Sequence, residues 1–173
     1  MLSAFLFAVQ AANGPPATAI PDFYAGLLNG YSGQDVHALV TECFTPDQEM
    51  ADEIGDLFEK LKAKDFDAVK EIVKSFVPKA ESDASLCMSD PKYKTVYEIQ
   101  HHQEELLKKV KDDSDWQLHL IAGLKPHFDE IKGLAQDAAN KYQTGDYYGA
   151  GQDVGKVDGW VLSYYEKNGM FLQ

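Results

Sequence analysis

The stretch TGDYYGAGQDVGKVDGWVLSYYEKNG, residues 144–169, decides the fold that the sequence predicts. Its pattern predicts a turn followed by a last helix over about residues 147–167. Gly151, Gly155 and Gly159 recur every four residues, so they share one face of this helix. Each glycine inside a helix costs about 1 kcal/mol relative to alanine, and the close approach of another helix would offset that cost. The approaching helix belongs either to the same molecule or to a second copy, and both alternatives stay open here.

The same helix is rich in aromatic side chains. A helix with so many rings cannot bury all of them, so some must face outward. Tyr and Trp are enriched at protein interfaces, and they also lie at the boundary of small helical bundles. The predicted interaction face consists of Gly151, Gly155, Gly159, Tyr147, Tyr148, Trp160 and Tyr164.

Outward from this helix, apolar residues recur at helical spacing along most of the chain. The clearest stripes lie at residues 50–61, 66–77, 96–110 and 118–134. Pro21 opens an earlier helix that Asn29 and Gly30 are expected to end, and Pro126 should kink or split the helix around it. No alternating β-branched run of strand length occurs. The sequence therefore predicts an all-α, compact bundle of about six to eight helices.

Length and charge narrow the classes of partner. The chain has 173 residues with 28 acidic and 16 basic residues, which gives a formal net charge of −12, and all 16 basic residues are lysine. A negative surface without arginine repels nucleic acid and anionic lipid, so neither is expected as a partner.

A chain of 173 residues suits one domain. We predict a single helical domain at residues 21–169, after a Pro/Gly-rich leader segment at residues 13–20.

The first twelve residues, MLSAFLFAVQAA, carry no charge and are almost wholly apolar. Small residues precede a cleavage point near Ala11 or Ala12, and a helix-breaking stretch follows. Residues 1–12 therefore read as a secretory signal peptide, with an N-terminal core helix as the alternative. No apolar run approaches the ~20 residues that a bilayer requires, so no membrane span is predicted.

Two cysteines are present, Cys43 and Cys87. In an exported chain an even pair favours a disulfide, and closing a loop of about 45 residues should stabilise the fold by roughly 4 kcal/mol. Two buried free thiols are the alternative. A metal site is the least favoured interpretation, because the two residues lie far apart and no C-x-x-C motif occurs.

The sequence contains no strong catalytic or metal-binding motif. The five histidines show no metal-ligand spacing, and neither a nucleophile elbow nor a phosphate-binding glycine loop occurs. The sequence therefore predicts no enzyme, no cofactor and no structural metal site. Two acidic clusters could bind Ca²⁺ weakly at the surface, although neither has the spacing of a calcium loop. Their members are Asp47, Glu49, Asp52 and Glu53 in one cluster and Asp112, Asp113 and Asp115 in the other.

Several of these features together resemble a family of small, secreted, two-cysteine helical proteins found in ciliates. The matching parts are FYAGLLNG at residues 23–30, the two cysteines, and the C-terminal motif G-D-Y-x-x-A-G-x-x-x-G at residues 145–155. The resemblance covers most of residues 22–162. It implies export, helices throughout and a disulfide between Cys43 and Cys87, and it implies no activity.

These observations lead to two main hypotheses of function and to a third, a hydrolase with a site built from His and Asp or Glu, which would need a pocket where two of those side chains converge. The first is a secreted, non-enzymatic structural or interaction protein that self-assembles or binds a protein partner, as extracellular matrix, surface coat or secretory-granule content. The alternative is a helical carrier that holds a small apolar ligand, such as a lipid or pigment, between its helices.

Overall fold

A computed structural model describes residues 16–46, 48–53, 56, 68, 82 and 84–168. The α-helices are α1 (Ile20–Ser32), α2 (His37–Cys43), α3 (Ser85–Ser89), α4 (Lys94–Asp112), α5 (Trp116–Leu124), α6 (Phe128–Gln143) and α7 (Tyr147–Asn168). Short 3-10 helices at Ala17–Ala19, Pro91–Tyr93 and Lys125–His127 precede α1, α4 and α6, and residues 48–53 are also helical. Among the described residues there is no strand, so the predicted all-α fold is confirmed.

Some predictions fall outside the described residues. They are the signal peptide at residues 1–12, the first part of the segment at 13–20, and nearly all of the two apolar stripes between residues 54 and 77. Met50 and Ala51, which begin the first of these stripes, are described and fully buried.

The observed helix ends confirm some of the boundaries that the sequence predicts and correct one. Pro21 occupies the first turn of α1, as expected, because proline has no N–H to leave unpaired there. The predicted end at Gly30 is wrong, since α1 continues to Ser32 and ends at Gly33, whose φ of 73° lies in the left-handed region. Pro126 does split its helix as expected, because a 3-10 turn separates α5 from α6.

One disulfide joins α2 to α3. The sulfur atoms of Cys43 and Cys87 lie 1.93 Å apart and their Cα atoms 5.0 Å apart. Both residues are buried in the largest group of core side chains, which also includes Leu28 of α1, Val96 of α4 and Val154 of α7. The disulfide is therefore confirmed, and the alternatives of free thiols and a thiolate metal site are wrong.

An ion pair fixes α6 against α7. The Lys141 Nζ atom lies 2.6 Å from Oδ2 of Asp153, whose side chain is only 3% exposed, and 2.9 Å from Oδ2 of Asp137. Lys141 donates both hydrogen bonds, and they raise its pKa, the bond to Asp153 foremost. The pairing accounts for a buried carboxylate on an otherwise apolar helix face.

Candidate functional site

The glycines of α7 lie in a tight crossing between α1 and α7. A Cβ atom added at Gly151 would lie 2.1 Å from the carbonyl oxygen of Phe23, and one added at Gly155 would lie 2.1 Å from that of Leu27. Carbon and oxygen atoms that are not bonded do not approach this closely, so only glycine allows the two backbones to meet here.

The crossing is reciprocal, because α1 contributes glycines of its own. A Cβ atom at Gly26 would lie 2.1 Å from the carbonyl oxygen of Tyr148, and one at Gly30 would lie 2.0 Å from that of Gln152. Gly30 therefore serves the crossing rather than the end of α1. The side chains of Gln152 and Asn29 also meet across it, with Nε2 donating to Oδ1 at 2.7 Å.

This geometry corrects the predicted interaction face. Gly151 and Gly155 are covered by α1 of the same chain, so they are not available to a second copy in this fold. The alternative of packing within the molecule, which the sequence left open, is the observed arrangement. Gly159 differs from both, because the nearest atom to an added Cβ would be the Tyr31 carbonyl oxygen at 3.6 Å, an ordinary contact distance.

The aromatic members of that predicted face are half-buried and pack against rings of the same chain. Trp160 stacks on His127 with 4.2 Å between ring centroids and 3° between planes, and Tyr164 stacks on His119 at 4.5 Å and 13°.

The other two aromatic residues of the predicted face also contact rings of the same chain. Tyr148 lies beside His37, with 4.8 Å between ring centroids. In the same way, the edge of the Tyr147 ring meets Tyr142, with 5.2 Å between centroids. No sequence spacing links these pairs, because each joins residues from different helices or turns.

Asp113 connects the link between α4 and α5 to α7. Its Oδ2 atom accepts hydrogen bonds from His119 Nδ1 at 2.5 Å and from the hydroxyl of the fully buried Tyr165 at 2.7 Å. Its Oδ1 atom accepts from the backbone N–H of Asp115 at 2.9 Å. These hydrogen bonds, that of His119 foremost, hold the pKa of Asp113 below its usual value. Burial raises the pKa of Tyr165, and the bond to Asp113 adds to this effect.

This carboxylate predicts a pH dependence. A carboxylate whose pKa folding lowers contributes stability above its unfolded pKa of about 3.9, and that stability is lost as the pH falls through the folded pKa. We expect Asp113→Asn to lower the thermal unfolding midpoint at pH 7, and the gap from wild type to shrink below about pH 4. Asp112→Asn, which removes the exposed neighbouring charge, is the matched control. A gap that stays constant down to about pH 2 would contradict the prediction.

The hydrogen bonds of Asp113 also affect the second acidic cluster that was predicted to bind Ca²⁺. Asp113 points inward to His119 and Tyr165, which leaves Asp112 and Asp115 exposed on either side of it. In the first cluster, Asp47 lies outside the described residues and Asp52 accepts a hydrogen bond from Gln48 at 2.9 Å. Within the described part of the chain, no group of three His, Cys, Asp or Glu residues could hold a metal ion. Weak surface binding of Ca²⁺ stays a prediction.

The most exposed apolar side chains lie on α5 and at the start of α6. Leu118, Ile121 and Phe128 are 65%, 52% and 55% exposed, and we call these three residues the apolar stripe. Leu118 and Ile121 lie three residues apart and therefore share one side of α5, and Phe128 is the first residue of α6, after the 3-10 turn at Lys125–His127. The opposite side of α5 packs on α7, where a Cβ atom at Gly123 would lie 2.9 Å from the Trp160 carbonyl oxygen.

The sequence pattern placed Leu118, Ile121 and Phe128 in one apolar run that extends to residue 134, and it did not distinguish these exposed residues from the buried Ile131. The 3-10 turn at Lys125–His127 divides this run between α5 and α6, and Leu118, Ile121 and Phe128 are exposed whereas Ile131 is buried. The sequence of α5, WQLHLIAGL, did contain a signal, because it is apolar on more than one side. Such a helix buries more than one side against its neighbours.

A surface groove of about 340 Å³ lies between α1, α4 and α7. Tyr31 and Ile99 contribute apolar surface to it, whereas Glu98, His102 and Glu166 contribute polar or charged groups. Such a lining does not favour the small apolar ligand of the carrier hypothesis. That hypothesis stays a prediction without a specific observation in its favour.

No helix in the described residues is long and apolar enough to cross a bilayer. Comparison of the chain with protein-family models, with curated proteins and with solved structures found no match. The resemblance to secreted ciliate proteins therefore stays a prediction.

Proposed function

We propose that the protein is an exported, non-enzymatic protein that assembles with copies of itself through the apolar stripe. The exposure of Leu118, Ile121 and Phe128 carries this proposal, because large apolar side chains that stay exposed near one another in the chain are typical of an interaction surface. Self-assembly was the first hypothesis from the sequence, and the stripe now takes the place of the glycine face.

Two observations support export. The disulfide between Cys43 and Cys87 is of the kind that forms and persists in oxidising compartments. The first twelve residues have the composition of a secretory signal peptide. Both are expected of extracellular or secretory-granule content.

A non-enzymatic role fits the surroundings of the pair formed by His119 and Asp113. Asp113 orients the His119 ring, as a carboxylate does in a catalytic triad. The ring of His119 packs against Tyr164 and Tyr165, and neither of these residues is a serine or cysteine nucleophile. The arrangement therefore favours a structural role for His119.

The charge distribution favours a second copy as the occupant of the apolar stripe. A net charge of −12 makes most surfaces of two copies repel each other. Residues 116–128 contain no Asp or Glu. In the sequence, Lys125 lies between Ile121 and Phe128 of the stripe. Two copies can therefore approach at this segment without bringing carboxylates directly together.

The stripe is also self-complementary. In an antiparallel, two-fold pairing, Leu118 of one copy lies opposite Phe128 of the other, and Ile121 packs near the axis. Lys132 of one copy then lies near the exposed Asp115 of the other. Each copy thus supplies both an apolar anchor and a complementary charge pair at either end of the contact.

Sedimentation velocity of the oxidised protein over a range of concentrations tests this proposal. We expect a concentration-dependent dimer, and we expect Leu118→Glu to weaken dimerisation at least about 100-fold, because the substitution occurs twice in a two-fold interface and each buried leucine contributes roughly 1.5–3 kcal/mol. Leu86→Glu is the matched control, since Leu86 is 44% exposed and lies on α3, outside the stripe.

Circular dichroism should show the same helix content for both variants and the wild-type protein. Wild-type protein that stays monomeric at all concentrations would overturn the proposal. So would equal loss of dimer in Leu86→Glu and Leu118→Glu, because the effect would then follow from added charge rather than from the stripe.

A further inference from the structure

Each of the five histidines lies beside a carboxylate and beside an aromatic ring. The distance from a ring nitrogen to a carboxylate oxygen is 2.5–3.7 Å in all five pairs. The pairs are His37–Asp22, His101–Glu105, His102–Glu166, His119–Asp113 and His127–Glu130. In the same order, the aromatic neighbours are Tyr148, Tyr97, Tyr31, Tyr164 and Trp160. Every histidine therefore has a negatively charged group beside it when its ring takes up a proton.

Three of the histidines lie outside residues 116–128, the segment that carries the apolar stripe. Asp22 of α1 and Tyr148 of α7 face the ring of His37, and the backbone N–H of His37 donates to Asp35. For His102 the facing groups are Glu166 of α7 and Tyr31 of α1, and for His101 they are Glu105 and Tyr97 of α4. The three histidine side chains are 45–47% exposed, so they exchange protons with the solvent.

The other two histidines, His119 and His127, lie within the stripe segment. Asp113 accepts a hydrogen bond from His119, and Glu130 of α6 lies 3.4 Å from His127. The rings that pack on them belong to α7 and are Tyr164 and Tyr165 for His119 and Trp160 for His127. A proton on either histidine is therefore balanced by a carboxylate of the same copy, and the stripe segment gains no unpaired charge.

Protonation of the histidines changes the net charge by a large fraction. Histidine is the side chain whose charge changes between pH 5 and 8, whereas ordinary carboxylates and lysines keep their charge in this range. The net charge of −12 counts the histidines as neutral, so protonation of all five brings it to −7. Because repulsion between two identical copies varies with the square of their charge, it falls to about a third.

We propose that mild acid strengthens self-assembly through the apolar stripe, and that the five histidine–carboxylate pairs sense the pH. This inference rests on the proposed self-assembly and adds its regulation. With its histidine neutral, each pair carries a negative charge, and the charges of two copies repel each other. With its histidine protonated, each pair is neutral, and repulsion opposes the apolar contact less. The histidines thus act through net charge rather than through a new contact.

Sedimentation velocity of the full, oxidised chain at about pH 7.5 and about pH 5.5 tests this inference, in about 20 mM salt, where charges interact over more than about 10 Å. We expect the dissociation constant of the dimer to be at least about 10-fold lower at the acidic pH. In about 0.5 M NaCl, which screens charges beyond about 8 Å, most of this difference should disappear. Circular dichroism should show the same helix content at both pH values.

Two variants change the charge outside the stripe segment in opposite ways. The triple variant His37→Gln, His101→Gln, His102→Gln should dimerise as the wild type does at about pH 7.5, but its response to acid should fall to about 3-fold. The double variant Glu105→Gln, Glu166→Gln removes two exposed negative charges and should dimerise about 3-fold more tightly than the wild type at about pH 7.5.

The outcomes separate this inference from the proposed function. A dimer with the same dissociation constant at both pH values would overturn the regulation and leave self-assembly through the stripe standing. An acid response in the triple variant as large as that of the wild type would also overturn the regulation. Wild-type protein that stays monomeric at both pH values would instead overturn the proposed self-assembly, and the regulation with it.

Discussion

Gly155→Ala should unfold at a clearly lower urea concentration than the wild-type protein, although alanine is the better helix former. The added Cβ atom would lie 2.1 Å from the carbonyl oxygen of Leu27 and 2.9 Å from the backbone nitrogen of Tyr31. These are backbone atoms of α1, so no side-chain rotation can relieve the contact and α1 must move away from α7. Overpacking of this kind costs about 3 kcal/mol, of which the helix propensity of alanine recovers about 1. We expect a net loss of about 2 kcal/mol.

Two other glycines provide matched controls for this prediction. Gly133 on α6 has no atom within 4 Å of an added Cβ, and at Gly159 the nearest atom would be 3.6 Å away. Alanine at either position should stabilise the protein by about 0.5–1 kcal/mol, because it gains helix propensity without a clash. Equilibrium unfolding in urea measures all three variants. If Gly155→Ala were as stable as Gly133→Ala, the α1–α7 crossing described above would be wrong.

The same reasoning changes what a larger substitution reports. If Gly155 had faced a second copy, Gly155→Leu would have tested assembly. In this structure it would separate α1 from α7 within one molecule, so the expected result is loss of the folded state rather than dissociation of copies. Leu118→Glu is the substitution that tests assembly, since it lies outside the crossing.

Removal of the disulfide should have the largest effect of any change at a pair of residues. The bridge between Cys43 and Cys87 spans a sequence separation of 44. In the chain-entropy model, a loop of this length stabilises the folded state by about 4 kcal/mol. Since single domains are stable by only about 5–15 kcal/mol, reduction should shift the urea midpoint strongly or unfold the chain at 37 °C.

Comparison of reduced wild-type protein with the double variant Cys43→Ala, Cys87→Ala separates the cross-link from packing. Both sulfur atoms are buried, so the double variant loses their contacts in addition to the bridge and should be the least stable of the three forms. A reducing agent should not change the unfolding of the double variant. Identical midpoints for oxidised and reduced wild-type protein would contradict the prediction.

Local patterns were sufficient to predict the class of fold and several helix boundaries. Pro21 and Pro126 act within their own turns, so their effects on α1 and on the α5–α6 junction were readable without any tertiary contact. Gly30 and Gly33 show the limit of this reading. Both are glycines near the end of α1, and only the backbone of Gln152 makes Gly30 a crossing residue rather than a stop.

The candidate sites were less accessible to sequence reasoning. The exposure of the apolar stripe was not predicted, because periodicity shows that residues share a side of a helix but not which side meets a neighbour. The network of Asp113, His119 and Tyr165 was missed altogether, because no spacing along the chain connects Asp113 with Tyr165 of α7.

The sequence by itself determined that this chain folds into helices and that two cysteines were available to join them. Helix formation depends on periodicity and on capping residues within a few positions, and both are visible along the chain. Only the tertiary structure decided that α1 covers the glycines of α7 and that Leu118 and Phe128 stay exposed. These outcomes depend on the rotation and crossing of helices far apart in sequence, which are set by long-range packing.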